Sequence, residues 1–212
     1  MQPSQEYYDL IDSYKILHKE EGKFKGISLV PLVPTLMQIT KENKCKTLLD
    51  YGCGKAIPYD KDRCKEIDLR NPIQELCNIE SFDLYDPAYE KYATLPDKKY
   101  DVVVCTDVLE HIAEQDIDYV LTEILSRSSK IVFLNISCQP ALKHFKEGKF
   151  KGKNVHISVF DPSWWAHKIA NIWNKFNHLK VYTLCETKEG THATCIKKEK
   201  NNGTNCTNST CY

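Results

Sequence analysis

A short apolar run that ends in a glycine-rich turn constrains the fold of this chain more than any other feature. Leu48 and Leu49 close the run, and the turn that follows consists of Asp50, Tyr51, Gly52, Cys53 and Gly54. Runs of this length that stop at a glycine turn are typical of buried parallel strands. Glycine permits the tight turn and leaves the backbone open to a ligand. The pattern therefore predicts a first parallel strand with a ligand crevice at its carboxyl end.

The remaining apolar patterns alternate between strand and helix. Further strands are predicted over residues 82–85, 100–105, 130–136, 181–185 and 192–196, and helices over 5–19, 27–39, 108–125 and 162–176. Such alternation predicts an α/β fold with a mostly parallel sheet and helices on both faces. Ile57 and Pro58 follow the glycine turn closely, and proline disfavours the helix expected there. The first helix after the turn should be delayed, shortened or replaced by a loop.

Length and charge limit the classes of protein to consider. The 212 residues, 42% of them apolar, suit one catalytic domain over 47–197, with a helical lead-in or lid over 1–46 and a disordered tail over 198–212. Lys plus Arg and Asp plus Glu each number 29, so no overall field attracts nucleic acid or an anionic membrane. The polar N-terminus does not resemble a signal peptide, and no run is long enough to span a membrane. We expect a soluble cytoplasmic protein with reduced cysteines and no membrane partner.

Three segments occur in the order found in one enzyme family. LLDYGCGKA over residues 48–56, DLYDP over 83–87 and YDVVVCTDVLEHI over 100–112 resemble the motifs of class I methyltransferases that use S-adenosylmethionine (SAM). The resemblance implies a Rossmann-like, mostly parallel, seven-stranded sheet and SAM as the cofactor. Asp86 and Asp101 are too close in sequence for a full helix and strand between them, so the region around the third strand should be shortened.

The resemblance also implies where the cofactor binds. Gly52 and Gly54 would approach its methionine portion, and Asp86 would accept hydrogen bonds from both ribose hydroxyls. A carboxylate at Asp50 suits the ammonium group of an amino-acid moiety. The residues assigned to the cofactor are Asp50, Tyr51, Gly52, Cys53, Gly54, Asp86, Thr106 and Asp107.

A second cluster follows the strand predicted over 100–105. Asp107, Glu110 and His111 are spaced i, i+3 and i+4, so a helix that starts near Asp107 would project all three from one face. The pattern DxxEH resembles the ExxEH metal ligands of small-RNA terminal 2′-O-methyltransferases and the related segment of ubiquinone-pathway O-methyltransferases, and His156 would add an imidazole. The cluster could bind a divalent metal ion. Alternatively, Thr106 or Asp107 caps the helix and Glu110 is a solvated acid of its first turn.

These residues predict the class of reaction but not its acceptor. His111 or His156 would act as general base, or both would help hold a metal ion, during transfer to an oxygen or nitrogen atom. A small-molecule acceptor is favoured. The basic segment Lys143–Lys153 reads as a solvated loop but leaves a nucleic-acid methyltransferase open, and a non-catalytic SAM-binding module is a further alternative. Phe24–Ser28 could fold over the cofactor as a lid. The oligomeric state is not indicated.

Overall fold

The structure is a computed structural model that describes residues 2–20 and 22–198. Within these ranges the helices are α1 (Gln5–His18), α2 (Val33–Glu42), α3 (Ile73–Leu76), α4 (Ile117–Ser126) and α5 (Pro162–Trp173). The strands are β1 (Thr47–Tyr51), β2 (Ser81–Tyr85), β3 (Tyr100–Thr106), β4 (Ser128–Ser137), β5 (Lys180–Thr187) and β6 (Gly190–Ile196). The tail predicted over 198–212 lies outside the described residues, apart from Lys198.

The strands form one sheet in the order β2-β1-β3-β4-β5-β6. Every pairing is parallel except that of β6, which runs antiparallel to β5. The mostly parallel α/β sheet is confirmed, but the expectation of seven strands is wrong for this part of the chain, which has six. The connection from β2 to β3 is too short for another helix and strand, and contains only the 3₁₀ turn Glu90–Tyr92.

Helices cover both faces of the sheet, as predicted. On one face, α4 and α5 pack against it through residues such as Val120 and Ile169, which have no exposed surface. On the other face, α2 buries Leu36 against Leu48 of β1. Both sheet faces are therefore withdrawn from water, and ligands can enter only at the ends of the strands.

Proline explains the local departures in the first half of the chain. The segment predicted as a helix over 27–39 forms a 3₁₀ turn at Val30–Leu32, which contains Pro31, and then α2. After the glycine turn, the 3₁₀ turn Ile57–Tyr59 replaces the expected helix, as Pro58 predicts.

The basic segment Lys143–Lys153 is largely exposed, as its lysines suggested, but two of its side chains are buried. Phe145 and Phe150 are each 2% exposed and pack with Leu10 of α1 and with Val155. The two buried rings attach the segment to the body of the protein, because their apolar surface is withdrawn from water. Among the described residues, no helix has the length and apolar character needed to cross a membrane.

Candidate active site

One cavity of about 670 Å³ lies between α1 and the carboxyl ends of β1, β2 and β3. The predicted site residues that line it are Asp50, Gly52, Cys53, Gly54, Asp86, Thr106, Asp107, His111 and His156. Tyr51 does not line the cavity, because its hydroxyl donates to Glu123 Oε2 at 2.6 Å in the core on the α4 side of the sheet. Glu110 lies behind the wall with no exposed surface.

The glycine turn is held by the protein's own backbone. The amides of Gly52 and Cys53 donate to the Tyr85 carbonyl at 2.7 and 3.0 Å. Gly54 has φ +57°, and a Cβ there would lie 2.6 Å from the Phe24 carbonyl oxygen. The packing of Phe24 against the turn therefore requires glycine at position 54. The sequence had suggested a different reason for this glycine, the close approach of a ligand.

Asp86 is oriented by two backbone amides. Its Oδ2 accepts from the Gly54 amide and its Oδ1 from the Ala88 amide, each at 2.9 Å. A carboxylate has about four acceptor positions, so each oxygen keeps one for a ligand. Asp86 thus presents a fixed, nearly buried pair of acceptors to the cavity.

Asp50 is a second acid of the cavity wall and is 3% exposed. Burial raises the pKa of its carboxyl group to about 7, and the nearby Asp86 adds to the rise. A buried carboxylate without a cation is costly. The site therefore favours a ligand that brings a positive group to Asp50.

The N-terminal segment closes one side of the cavity. Lys55 and Ile57 donate backbone hydrogen bonds to the carbonyls of Phe24 and Lys25 at 2.7 and 3.1 Å. The segment predicted as a lid is therefore docked on the glycine turn. Gly26 makes this possible, because a Cβ there would lie 2.1 Å from the Cys53 carbonyl oxygen.

The DxxEH segment is not the start of a helix. Asp107 has φ +53°, Leu109–His111 form a 3₁₀ turn, and α4 begins only at Ile117. The prediction of a helix over 108–125 with Asp107, Glu110 and His111 on one face is wrong. The left-handed backbone at Asp107 and the extended residue Ile112 prevent continuous helical hydrogen bonding.

Glu110 turns into the protein instead. Its Oε1 accepts from the Ser137 amide at 2.9 Å, whereas its Oε2 is buried and has no hydrogen-bond partner within residues 2–20 and 22–198. Burial raises the pKa of the carboxyl group to about 8, and Asp107 contributes to the rise. The alternative of a solvated first-turn acid is wrong, because Glu110 has no exposed surface.

The histidines are oriented by carbonyl groups. His111 Nδ1 lies 3.0 Å from the Val155 carbonyl oxygen, and His156 Nδ1 lies 2.6 Å from that of Gln139. A carbonyl only accepts, so these contacts favour the tautomer of each ring that carries hydrogen on Nδ1 and a lone pair on Nε2. Burial, together with the neighbouring His156, lowers the pKa of His111 to about 4.

Together these side chains form a compact set of possible metal ligands. Glu110, His111 and His156 each offer one ligand atom, and these three atoms lie within 4.8 Å of one another. Asp107, predicted as a fourth ligand, is outside this group, and its Oδ1 accepts from Asn135 Nδ2 at 3.2 Å. Two imidazoles and one carboxylate are a donor set suited to a borderline divalent cation.

Helix α1 adds two residues to the site that sequence analysis did not identify. The Tyr14 hydroxyl donates to the Val155 carbonyl at 2.7 Å and lies 2.8 Å from His111 Nδ1. His18 lies 3.8 Å from Asp86 through its Nε2. No local motif could reveal these pairs, because the partners are far apart along the chain.

Comparison with known proteins agrees with this geometry. The sequence profile of the methyltransferase domain family matches residues 28–147, more than half of the chain. The match includes Asp50, Asp86 and the DxxEH segment, but not α1 or His156. No curated protein sequence matches the chain significantly. On the profile match, and with the Rossmann-like sheet and its cavity in agreement, the chain belongs to the methyltransferase domain family and is a SAM-dependent methyltransferase.

Proposed function

We propose that this enzyme transfers the methyl group of SAM to an oxygen atom of a small molecule, with a divalent metal ion at Glu110, His111 and His156. The observation that carries the proposal is the buried Glu110 carboxylate beside the imidazoles of His111 and His156, because its Oε2 has no hydrogen-bond partner among the described residues. This arrangement is costly without a ligand. A cation would offset that cost.

The cofactor end of the cavity suits SAM. SAM supplies a methyl group activated by a positively charged sulfur atom. Asp86 would bind the ribose hydroxyls with the acceptor positions that its backbone contacts leave open, and Asp50 would bind the ammonium group. These two acids and Asp107 line the same cavity. Their carboxylates would attract the cationic groups of SAM at close range.

The other end of the cavity suits acceptor activation. A divalent cation lowers the pKa of a bound hydroxyl group, which makes it a better nucleophile near neutral pH. Glu110 and the Nε2 atoms of His111 and His156 would hold the cation. The carbonyl groups that fix both Nδ1–H groups serve as the outer partners that metal-binding histidines usually have.

A metal-free mechanism with an imidazole as general base is the alternative. It is weaker for His111, because a pKa near 4 makes the ring a poor proton acceptor at neutral pH. His156 remains the candidate base in that case. A nucleic-acid acceptor is the other alternative, since Lys143 and Lys146 of the basic segment also line the cavity. The cavity volume of about 670 Å³ lies within the range of about 300–1,000 Å³ usual for small-molecule sites, which supports a small acceptor.

The test measures cofactor and metal binding separately. S-adenosylhomocysteine should bind in calorimetry, and Asp86→Ala should weaken it by about 10- to 100-fold through loss of charge-assisted hydrogen bonds. Mn²⁺ or Zn²⁺ should raise the melting temperature of the wild type, because a ligand of the folded state stabilises it. Glu110→Gln and His156→Gln should abolish this rise.

Two exposed residues provide matched controls. Glu114→Gln and His167→Gln change the same residue types away from the cavity and should keep the response to metal. If metal leaves the melting temperature of the wild type unchanged, the metal site is refuted. Methyl transfer that is insensitive to chelator but lost in His156→Gln would then assign the general base.

A further inference from the structure

His18 is a buried polar residue of the cofactor cavity that the family match does not include. It ends α1, is 7% exposed and lines the cavity opposite Asp86. The profile match begins at residue 28, so this histidine belongs to the part of the chain that precedes the matched domain. Its role has to be argued from its own surroundings.

The ring is held by stacking rather than by hydrogen bonds. Its centroid lies 4.4 Å from that of Phe24 at an interplanar angle of 15°, and 5.6 Å from that of Tyr89 at 23°. Its Nδ1 is buried, and no other described residue forms a hydrogen bond with it. Its Nε2 lies 3.8 Å from Asp86 Oδ2, beyond the usual limit of about 3.2 Å for such a bond. Buried polar side chains are rarely left in this condition.

The separation between His18 and Asp86 fits one bridging oxygen. Two atoms 3.8 Å apart can both lie about 2.8 Å from a third atom, the usual hydrogen-bond distance. Asp86 Oδ2 already accepts from the Gly54 amide and keeps one acceptor position. A hydroxyl group is the simplest bridge, because it can donate to the carboxylate and accept from Nε2–H of the imidazole.

We propose that His18 and Asp86 together bind one ribose hydroxyl of the cofactor. The hydroxyl donates to Asp86 Oδ2 and accepts from His18 Nε2–H, while Phe24 and Tyr89 keep the imidazole in position. The inference rests on the proposed role of Asp86 in ribose binding. It makes α1 part of the cofactor site.

The experiment compares S-adenosylhomocysteine with its 2′-deoxy and 3′-deoxy analogues by calorimetry. His18→Phe keeps an aromatic ring for stacking but removes both nitrogens. It should bind S-adenosylhomocysteine about 3- to 10-fold more weakly than the wild type, the effect of one hydrogen bond. For the analogue that lacks the bridged hydroxyl, His18→Phe and the wild type should bind equally well. His18→Gln, whose amide can donate from a similar position, should recover part of the affinity.

Three results would overturn the inference. His18→Phe could bind S-adenosylhomocysteine as the wild type does, or it could lose the same factor for all three ligands, which would indicate a packing role alone. Failure of His18→Gln to recover affinity, although circular dichroism shows it folded, would also count against a donor at this position. His167→Phe on α5 is the control for a surface histidine.

Asp86→Asn separates this inference from the proposal on which it rests. If Asp86→Asn weakens binding and His18→Phe does not, only the role of His18 is refuted. If neither substitution changes affinity, the ribose assignment of Asp86 is refuted as well.

Discussion

Replacing Asp50 with Asn should stabilise the ligand-free enzyme at alkaline pH. Burial raises the pKa of Asp50 from 3.8 to about 7, and Asp86 adds to the rise. Each pKa unit corresponds to about 1.36 kcal/mol, so the ionised carboxylate costs the fold roughly 4 kcal/mol. Because the folded pKa is raised, the stabilisation by protonated Asp50 is complete below about pH 4 and is lost as pH rises through 7. Asparagine keeps the shape and avoids this loss.

The same ionisation should control cofactor binding. The proposed ammonium contact requires the carboxylate, which is about one-tenth populated at pH 6 and about nine-tenths at pH 8 when the pKa is near 7. S-adenosylhomocysteine should therefore bind roughly tenfold more weakly at pH 6 than at pH 8. Asp50→Asn should bind weakly at both values. The substitution thus exchanges affinity for stability.

Urea unfolding and calorimetry test both statements. The stability difference between Asp50→Asn and the wild type should grow by roughly 2 to 3 kcal/mol between pH 5 and pH 8. Asp62→Asn changes an exposed aspartate and should show no such growth. A constant difference across that range would refute the buried ionisation. Affinity for S-adenosylhomocysteine that is independent of pH would refute the contact with the ammonium group.

Three further substitutions test individual contacts. Tyr14→Phe removes the hydroxyl that contacts His111. It should lower kcat about 3- to 10-fold, the effect of one hydrogen bond, and leave the KM for SAM unchanged. An unchanged kcat would exclude a positioning role for Tyr14. Gly26→Ala should detach the N-terminal segment and speed its proteolysis, since the added Cβ meets the Cys53 carbonyl. Gly152→Ala, also at positive φ but in open space, should not do so. Phe150→Ala should lower the free energy of unfolding by about 3 kcal/mol, and no loss would mean that this ring does not anchor the basic segment.

The sheet was predictable because its signals are local. Leu48, Leu49 and the glycine turn define β1 within a few residues, and the uninterrupted apolar run from Val102 defines β3 equally well. Pro58 likewise predicts the missing helix after the turn. The same local patterns also predict six strands, the number in the described sheet. Seven came from the resemblance alone, while the short connection after Asp86 already argued against a full third strand.

The candidate site was predictable in composition but not in geometry. The spacing of Glu110 and His111 suggested that both side chains project from one face of a helix. Their positions are instead set by the left-handed backbone at Asp107 and the 3₁₀ turn that follows it. Intrinsic preference disfavours φ above zero at Asp107, so no pattern indicates that conformation. Tyr14 and His18 lie on an amphipathic helix, where a buried polar residue has the same spacing as a core residue. Only the docking of α1 shows what they contact.

The attachment of α1 also determines when the site can form during synthesis. The bond from Tyr14 to the Val155 carbonyl joins residues 141 positions apart. At about 5–20 residues per second, α1 waits on the order of ten seconds on the ribosome before that partner is made. Until then the nascent chain can form the glycine turn and β1 but not the wall that carries Tyr14 and His111. The enzyme therefore becomes competent only after Val155 has been translated.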